Sequence, residues 1–290
     1  NTVLSMQQAV RDGAMAVEFD VQLTRDMVPV IYHDWNVAET GLDVPVNSLT
    51  LKQFMSYGPQ SKSLARTRSH SNIDSLGQSL ALHANSNDTV RAPFATLEDL
   101  FESLPESVGF DIEIKYPMPD EADEAGIDTN FEMNQFVDRI LDIVFKHTPS
   151  LPKQSLAEFS DDERPERRPI VFTSFHPDIC LLLAHKIDGE FPIMFLTDAG
   201  RTTMADARCN SLVAAVRLCR RMGLAGIVTY AAPIVESPRV AHMVRRNNLA
   251  LATYGRQNNR REMVLIQKSA GVDIVITDKV RLAAAAVQTA

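Results

Sequence analysis

The 290-residue chain is 45% hydrophobic and 23% charged, with a formal net charge of -8, the balance of a globular protein with a core of its own. The acidic surplus argues against non-specific nucleic-acid binding, which needs a basic surface, and no apolar run reaches the ~18 residues of a membrane span. Three scattered cysteines, Cys180, Cys209 and Cys219, suit neither a disulfide framework nor a zinc site, and they point to a reducing, cytoplasmic setting.

In chain order, the spacing predicts a helix over 3–12 that starts almost at once, so the chain opens inside a structural unit. A strand follows at 15–22, "MAVEFDVQ". The run 28–32, "VPVIY", comes too soon for a helical crossover and reads as an excursion in the loop after that strand, delivering His33. Residues 57–92 are rich in Ser, Asn and Arg and poor in large apolar groups; they cannot offset their ordering entropy and read as a disordered insertion. A helix at 96–104 leads to a strand at 108–116, "VGFDIEIKY". Beyond it, helices at 130–146, 177–187, 210–222, 238–247 and 260–270 alternate with strands at 169–174, 191–197, 224–230, 249–255 and 273–277, and a charged loop at 155–169 is expected to be mobile. Short apolar strands alternating with helices mean an α/β protein with a parallel sheet.

Seven core strands emerge where a closed (β/α)8 TIM barrel needs eight. The eighth is expected before helix 3–12, so residues 1–290 read as one barrel domain lacking its first strand. Setting the insertion aside leaves about 254 residues, near the ~250 typical of such barrels. An open doubly wound sheet is the alternative.

Strand residues two apart share a face, so Glu18 and Asp20 point one way and Val17, Phe19 and Val21 the other. Two neighbouring buried carboxylates are costly unless a cation sits between them. Glu113 and Lys115 repeat the spacing on the next core strand. Three carboxylates at one barrel mouth suit a hard divalent cation, Mg²⁺ or Ca²⁺; Lys115 suits an anion such as phosphate. His33 is placed for proton exchange, with Asp34 to orient it. Each feature taken singly also fits a solvated acidic pair, a structural ion pair or a chance His-Asp dipeptide.

"NTVLSMQQAVRDGAMAVEFDVQLTRDMVPVIYHD", "FDIEIKYP" and "TSFHPDIC" resemble the three hallmark motifs of glycerophosphodiester phosphodiesterases, most closely the fungal cytosolic glycerophosphocholine enzymes. The resemblance implies a (β/α)8 barrel, a metal on Glu18, Asp20 and Glu113, and His33 as one of two catalytic histidines. It further implies phosphate contact by Lys115, and substrate contacts by Ser174, Phe175 and Tyr254. It implies a small glycerophosphodiester substrate, and SPX and ankyrin domains upstream. The family's opening "His-Arg-Gly" motif would precede Asn1, so the chain taken alone is expected to be inactive. His176, before Pro177, reads as a helix cap, and His147, His185 and His242 as surface residues. The rival reading is a non-catalytic phosphate-signalling regulator with eroded ligands; the five site residues Glu18, Asp20, His33, Glu113 and Lys115 are all present.

Overall fold

The structure, a computed structural model, describes residues 1–37, 43–57, 92–127, 130–148 and 167–288. Its strands are β1 (Ala16–Leu23), β2 (Pro29–Ile31), β3 (Asn36–Val37), β4 (Val44–Pro45), β5 (Ala95–Thr96), β6 (Gly109–Ile114), β7 (Ile170–Ser174), β8 (Ile193–Thr197), β9 (Gly226–Tyr230), β10 (Ala250–Tyr254) and β11 (Ile274–Val275). β1, β6, β7, β8, β9, β10 and β11 pair as parallel neighbours in sequence order, which is the wall of a barrel. β2 and β5 add antiparallel at the β1 side. Among the described residues no ladder joins β11 to β1. Arg281 Nε, in the helix after β11, donates to Asp12 Oδ1 at 2.7 Å, just after the helix that precedes β1.

Alternation sorts the strand side chains into two cores. The outer faces, with Phe19, Phe110, Ile112, Phe172, Phe195, Ile227 and Leu251, pack into one continuous cluster with helix residues such as Val137, Ile140, Leu183 and Ala215. The inner face of the later strands is apolar: Met194, Leu196, Val228 and Ala252 cluster with Val171, Phe175 and Tyr254. Gly226 lets β9 and β10 close on this interior, since a Cβ there would lie 2.4 Å from the Ala250 carbonyl oxygen and 2.8 Å from Met194 Cε.

The excursion after β1 has a core of its own. Val30, Tyr32, Val37, Val46, Leu49 and Phe54 are buried together, and Phe54 stacks on Phe94 with ring centroids 4.7 Å apart. Residues 58–91, nearly all of the expected insertion, lie outside the described residues. At its borders Tyr57 closes the helix Leu51–Tyr57 and Ala92 is buried, so those two belong to ordered structure. The charged loop falls outside as well, apart from residues 167–169.

Helices Leu51–Tyr57, Pro119–Ala125, Ala232–Glu236 and Val280–Gln288 were not foreshadowed by periodicity. The first three are at most seven residues long, and the last is a nine-residue alanine-rich stretch. His147 is a correction: its ring stacks on Phe101 at 4.9 Å and 11° and is half-buried rather than on the surface.

Arg168 locks the entry to the acidic strand β6. It is 4% exposed, and its guanidinium donates to the carbonyls of Leu104, Pro105 and Val108 while lying 4.0 Å over the Phe110 ring. Arg168→Met leaves three carbonyls short of a donor. The expected loss is about 3 kcal/mol of unfolding free energy, measured by denaturant titration.

Candidate active site

The inner face of the barrel is charged on one side. β1 turns Glu18, Asp20 and Gln22 inward, opposite the buried Phe19 and Val21. In the parallel ladder Glu18 lies opposite Asp111, and Asp20 opposite Glu113. Glu18, Asp20 and Glu113 each offer a carboxylate oxygen, all within 4.8 Å of one another. Lys115 Nζ stands 3.6 Å from Asp20 Oδ1 and 3.6 Å from Glu113 Oε1, with the Trp35 ring 4.8 Å away. Asn1 Nδ2 donates to Asp20 Oδ2 at 2.7 Å.

Burial sets the electrostatics. It pushes the Glu18 carboxyl well above its ordinary range, and the Asp20, Glu113 and Asp111 carboxylates push it further. Burial and then the Asp20 charge lift Glu113 to about 8. Burial lifts Asp111 to about 7 despite the hydroxyl of Thr173, which donates to its Oδ1 at 2.9 Å. Burial works against the Lys115 ammonium, but Glu113 and Asp20 outweigh it and hold its pKa above the usual lysine value. One ammonium cannot neutralise four carboxyls. Asp20 Oδ1 is buried with no hydrogen-bond partner, an orphaned acceptor aimed into an all-oxygen cluster. This donor set fits a hard divalent cation.

His33 follows β2 on the excursion. It is largely exposed, and its Nδ1 lies 2.7 Å from Asp34 Oδ1, so the Asp34 carboxylate accepts a hydrogen bond from Nδ1–H and leaves Nε2 for other chemistry. Phe175, just after β7, gathers with Tyr230 and Tyr254, the last residues of β9 and β10: Tyr254 meets Phe175 edge-on at 6.0 Å and Tyr230 at 5.7 Å. Gly255, at φ +108°, takes the Tyr230 ring where a Cβ would clash at 2.5 Å, and Arg201 Cζ covers that ring at 3.9 Å.

Ser174 is not open to a ligand. It is fully buried, and its hydroxyl donates to the Ile114 carbonyl and accepts from the His176 amide. Its neighbours Thr173 and Phe175 take the inward positions, so alternation turns Ser174 to the outer face. His176 caps the helix Pro177–Ile187 by accepting from the Asp178 amide. Sequence reasoning passed over Asp111, Gln22, Trp35 and Tyr230. Asp111 was within reach, being two residues before Glu113.

The sequence profile described as the glycerophosphoryl diester phosphodiesterase family matches residues 1–282. A Candida albicans glycerophosphocholine phosphodiesterase is 40% identical over 97% of this chain and 26% of its own length. An Arabidopsis thaliana glycerophosphodiester phosphodiesterase is 33% identical over 97% of this chain and 69% of its own length. The chain thus spans about a quarter of the fungal relative. An Oleispira antarctica phosphodiesterase, solved with the product sn-glycerol-3-phosphate, superposes with a TM-score of 0.65 at 15% identity, covering 100% of this chain and 91% of that one.

In the metal-free protein Glu113 keeps its proton at pH values where the unfolded chain has lost it. Its folded pKa of about 8 stands above the ordinary 4.5, so its contribution to stability is present in full below about 4.5 and drains as pH rises through about 8. Glu113→Gln removes this drain. The stability of the variant relative to the parent is expected to climb steadily from about pH 5 to about pH 8, measured by thermal melts with chelator present; a difference that stays flat would contradict the burial of this carboxyl.

Proposed function

The chain belongs to the glycerophosphoryl diester phosphodiesterase family, and we propose that it carries the catalytic centre of a metal-dependent enzyme that hydrolyses glycerophosphodiesters to glycerol 3-phosphate and an alcohol. Glycerophosphocholine is the first substrate to test, because the Candida albicans relative is named for it. The observation that carries the reading is the inward cluster of Glu18, Asp20 and Glu113, in which the buried Asp20 Oδ1 accepts no hydrogen bond.

In this reading those three carboxylates hold Mg²⁺ or Ca²⁺, which supplies charge neutralisation at phosphate oxygens and a lowered pKa for a coordinated hydroxyl or water. Lys115, next to Asp20 and Glu113, binds a phosphate oxygen as a point charge. His33 moves a proton at Nε2, to the leaving group or from the nucleophile. Phe175 and Tyr254 flank the substrate on the apolar side of the mouth. Ser174 acts behind them by fixing the start of the loop that bears Phe175.

The SPX and ankyrin modules belong to the same proposal, supported by a fungal relative about four times as long as the matched span. No helix among the described residues is long and apolar enough to cross a membrane. Three free, buried cysteines support a reducing, cytoplasmic setting.

The test is glycerol 3-phosphate release from glycerophosphocholine by the natural full-length protein with Mg²⁺ or Ca²⁺. Glu18→Gln and Asp20→Asn are expected to abolish turnover and calorimetric metal binding together. His33→Ala is expected to lower turnover by about 10²–10⁴-fold with metal affinity kept. Loss of metal binding in His33→Ala would remove His33 from its proton-transfer role.

A further inference from the structure

An exposed histidine cannot hold itself in place for proton transfer. The hydrogen bond between His33 and Asp34 is open to solvent on both sides, at 70% and 71% side-chain exposure, and such exposed polar pairs fix geometry poorly. The position of the imidazole is therefore set by the backbone that carries it.

That backbone is held from below by one side chain. Gln22 is 5% exposed and stands on the same face of β1 as Glu18 and Asp20. Its Nε2 donates to the Tyr32 carbonyl at 2.8 Å and to the Asp34 carbonyl at 2.7 Å, the two residues on either side of His33. The Tyr32 amide in turn donates to the Asp20 carbonyl at 3.1 Å. Tyr32 is also gripped by the rings of Phe54 and Phe94. One strand thus supplies two of the three acidic side chains and the clamp on the histidine.

We propose that Gln22 is a positioning residue for the reaction: its carboxamide, spanning the carbonyls of Tyr32 and Asp34, fixes His33 relative to the carboxylates of β1. This rests on the assignment of proton transfer to His33. A bidentate donor is required, because a carboxylate cannot donate to a carbonyl and an apolar isostere leaves both carbonyls unpaired.

A double-mutant cycle on the natural full-length protein tests it, using Gln22→Met and His33→Ala with glycerophosphocholine as substrate. Gln22→Met alone is expected to lower kcat by about 10- to 100-fold, with KM and calorimetric Mg²⁺ affinity within about twofold. In the His33→Ala background the same change is expected to cost less than about twofold, since the residue acts through the histidine. Amide hydrogen exchange at residues 32–34 is expected to speed up in Gln22→Met while β1 stays protected. An equal loss in both backgrounds, a parallel loss of metal affinity, or unchanged kcat overturns the proposal. If His33→Ala alone leaves kcat intact, the assignment of His33 fails instead. Should Gln22→Met not fold, Gln22→Asn keeps the donors one methylene short, and the same cycle applies.

Discussion

Four carboxyls and one ammonium converge inside a barrel, and the rest of the site follows from how that charge is tolerated. Glu18, Asp20, Asp111 and Glu113 face one another across two paired strands, with Lys115 as the near cation. Burial raises three of the carboxyls toward the neutral form, so the cluster holds its negative charge only where further positive charge is brought to it. A divalent ion would reverse that logic and keep the carboxylates ionised at neutral pH.

The barrel divides the labour spatially. The early strands β1 and β6 carry the acidic groups, and the later strands carry the apolar interior and the aromatic corner of Phe175, Tyr230 and Tyr254. In the proposed reading the acidic side would meet the phosphoryl group of a phosphodiester and the aromatic side its substituents. Rigidity comes from elsewhere: the outer aromatic layer under β1 and β6, the Arg168 lock at the entry to β6, and the excursion's own small core beneath His33.

Much of this was legible in the sequence, and for identifiable reasons. The strands of the parallel wall fall within a few residues of their expected places because buried strands read as short apolar runs. The pairing of Glu18 with Asp20 and of Glu113 with Lys115 followed from two-residue alternation. What escaped was tertiary. Gln22 reads as one more polar strand residue until its carboxamide is seen spanning two loop carbonyls. Asp111 was legible from the same alternation, two residues before Glu113; what the structure adds is its place opposite Glu18 and the Thr173 hydroxyl on its Oδ1. Ser174 looked available as part of a motif, but alternation with Thr173 and Phe175 turns it away from the mouth. Helix Val280–Gln288 is a nine-residue alanine-rich segment whose buried face becomes plain only where Ala283 and Ala286 pack with Val264.

The central claim is that Glu18, Asp20 and Glu113 form a single cation site. A crystal of the protein soaked in Mn²⁺ and measured at the manganese absorption edge tests this most directly. The account predicts one anomalous peak at roughly 2.0–2.6 Å from a carboxylate oxygen of each of the three residues, with Lys115 moved off Asp20. An empty cluster at saturating Mn²⁺, with Lys115 still bridging Asp20 and Glu113, would contradict it.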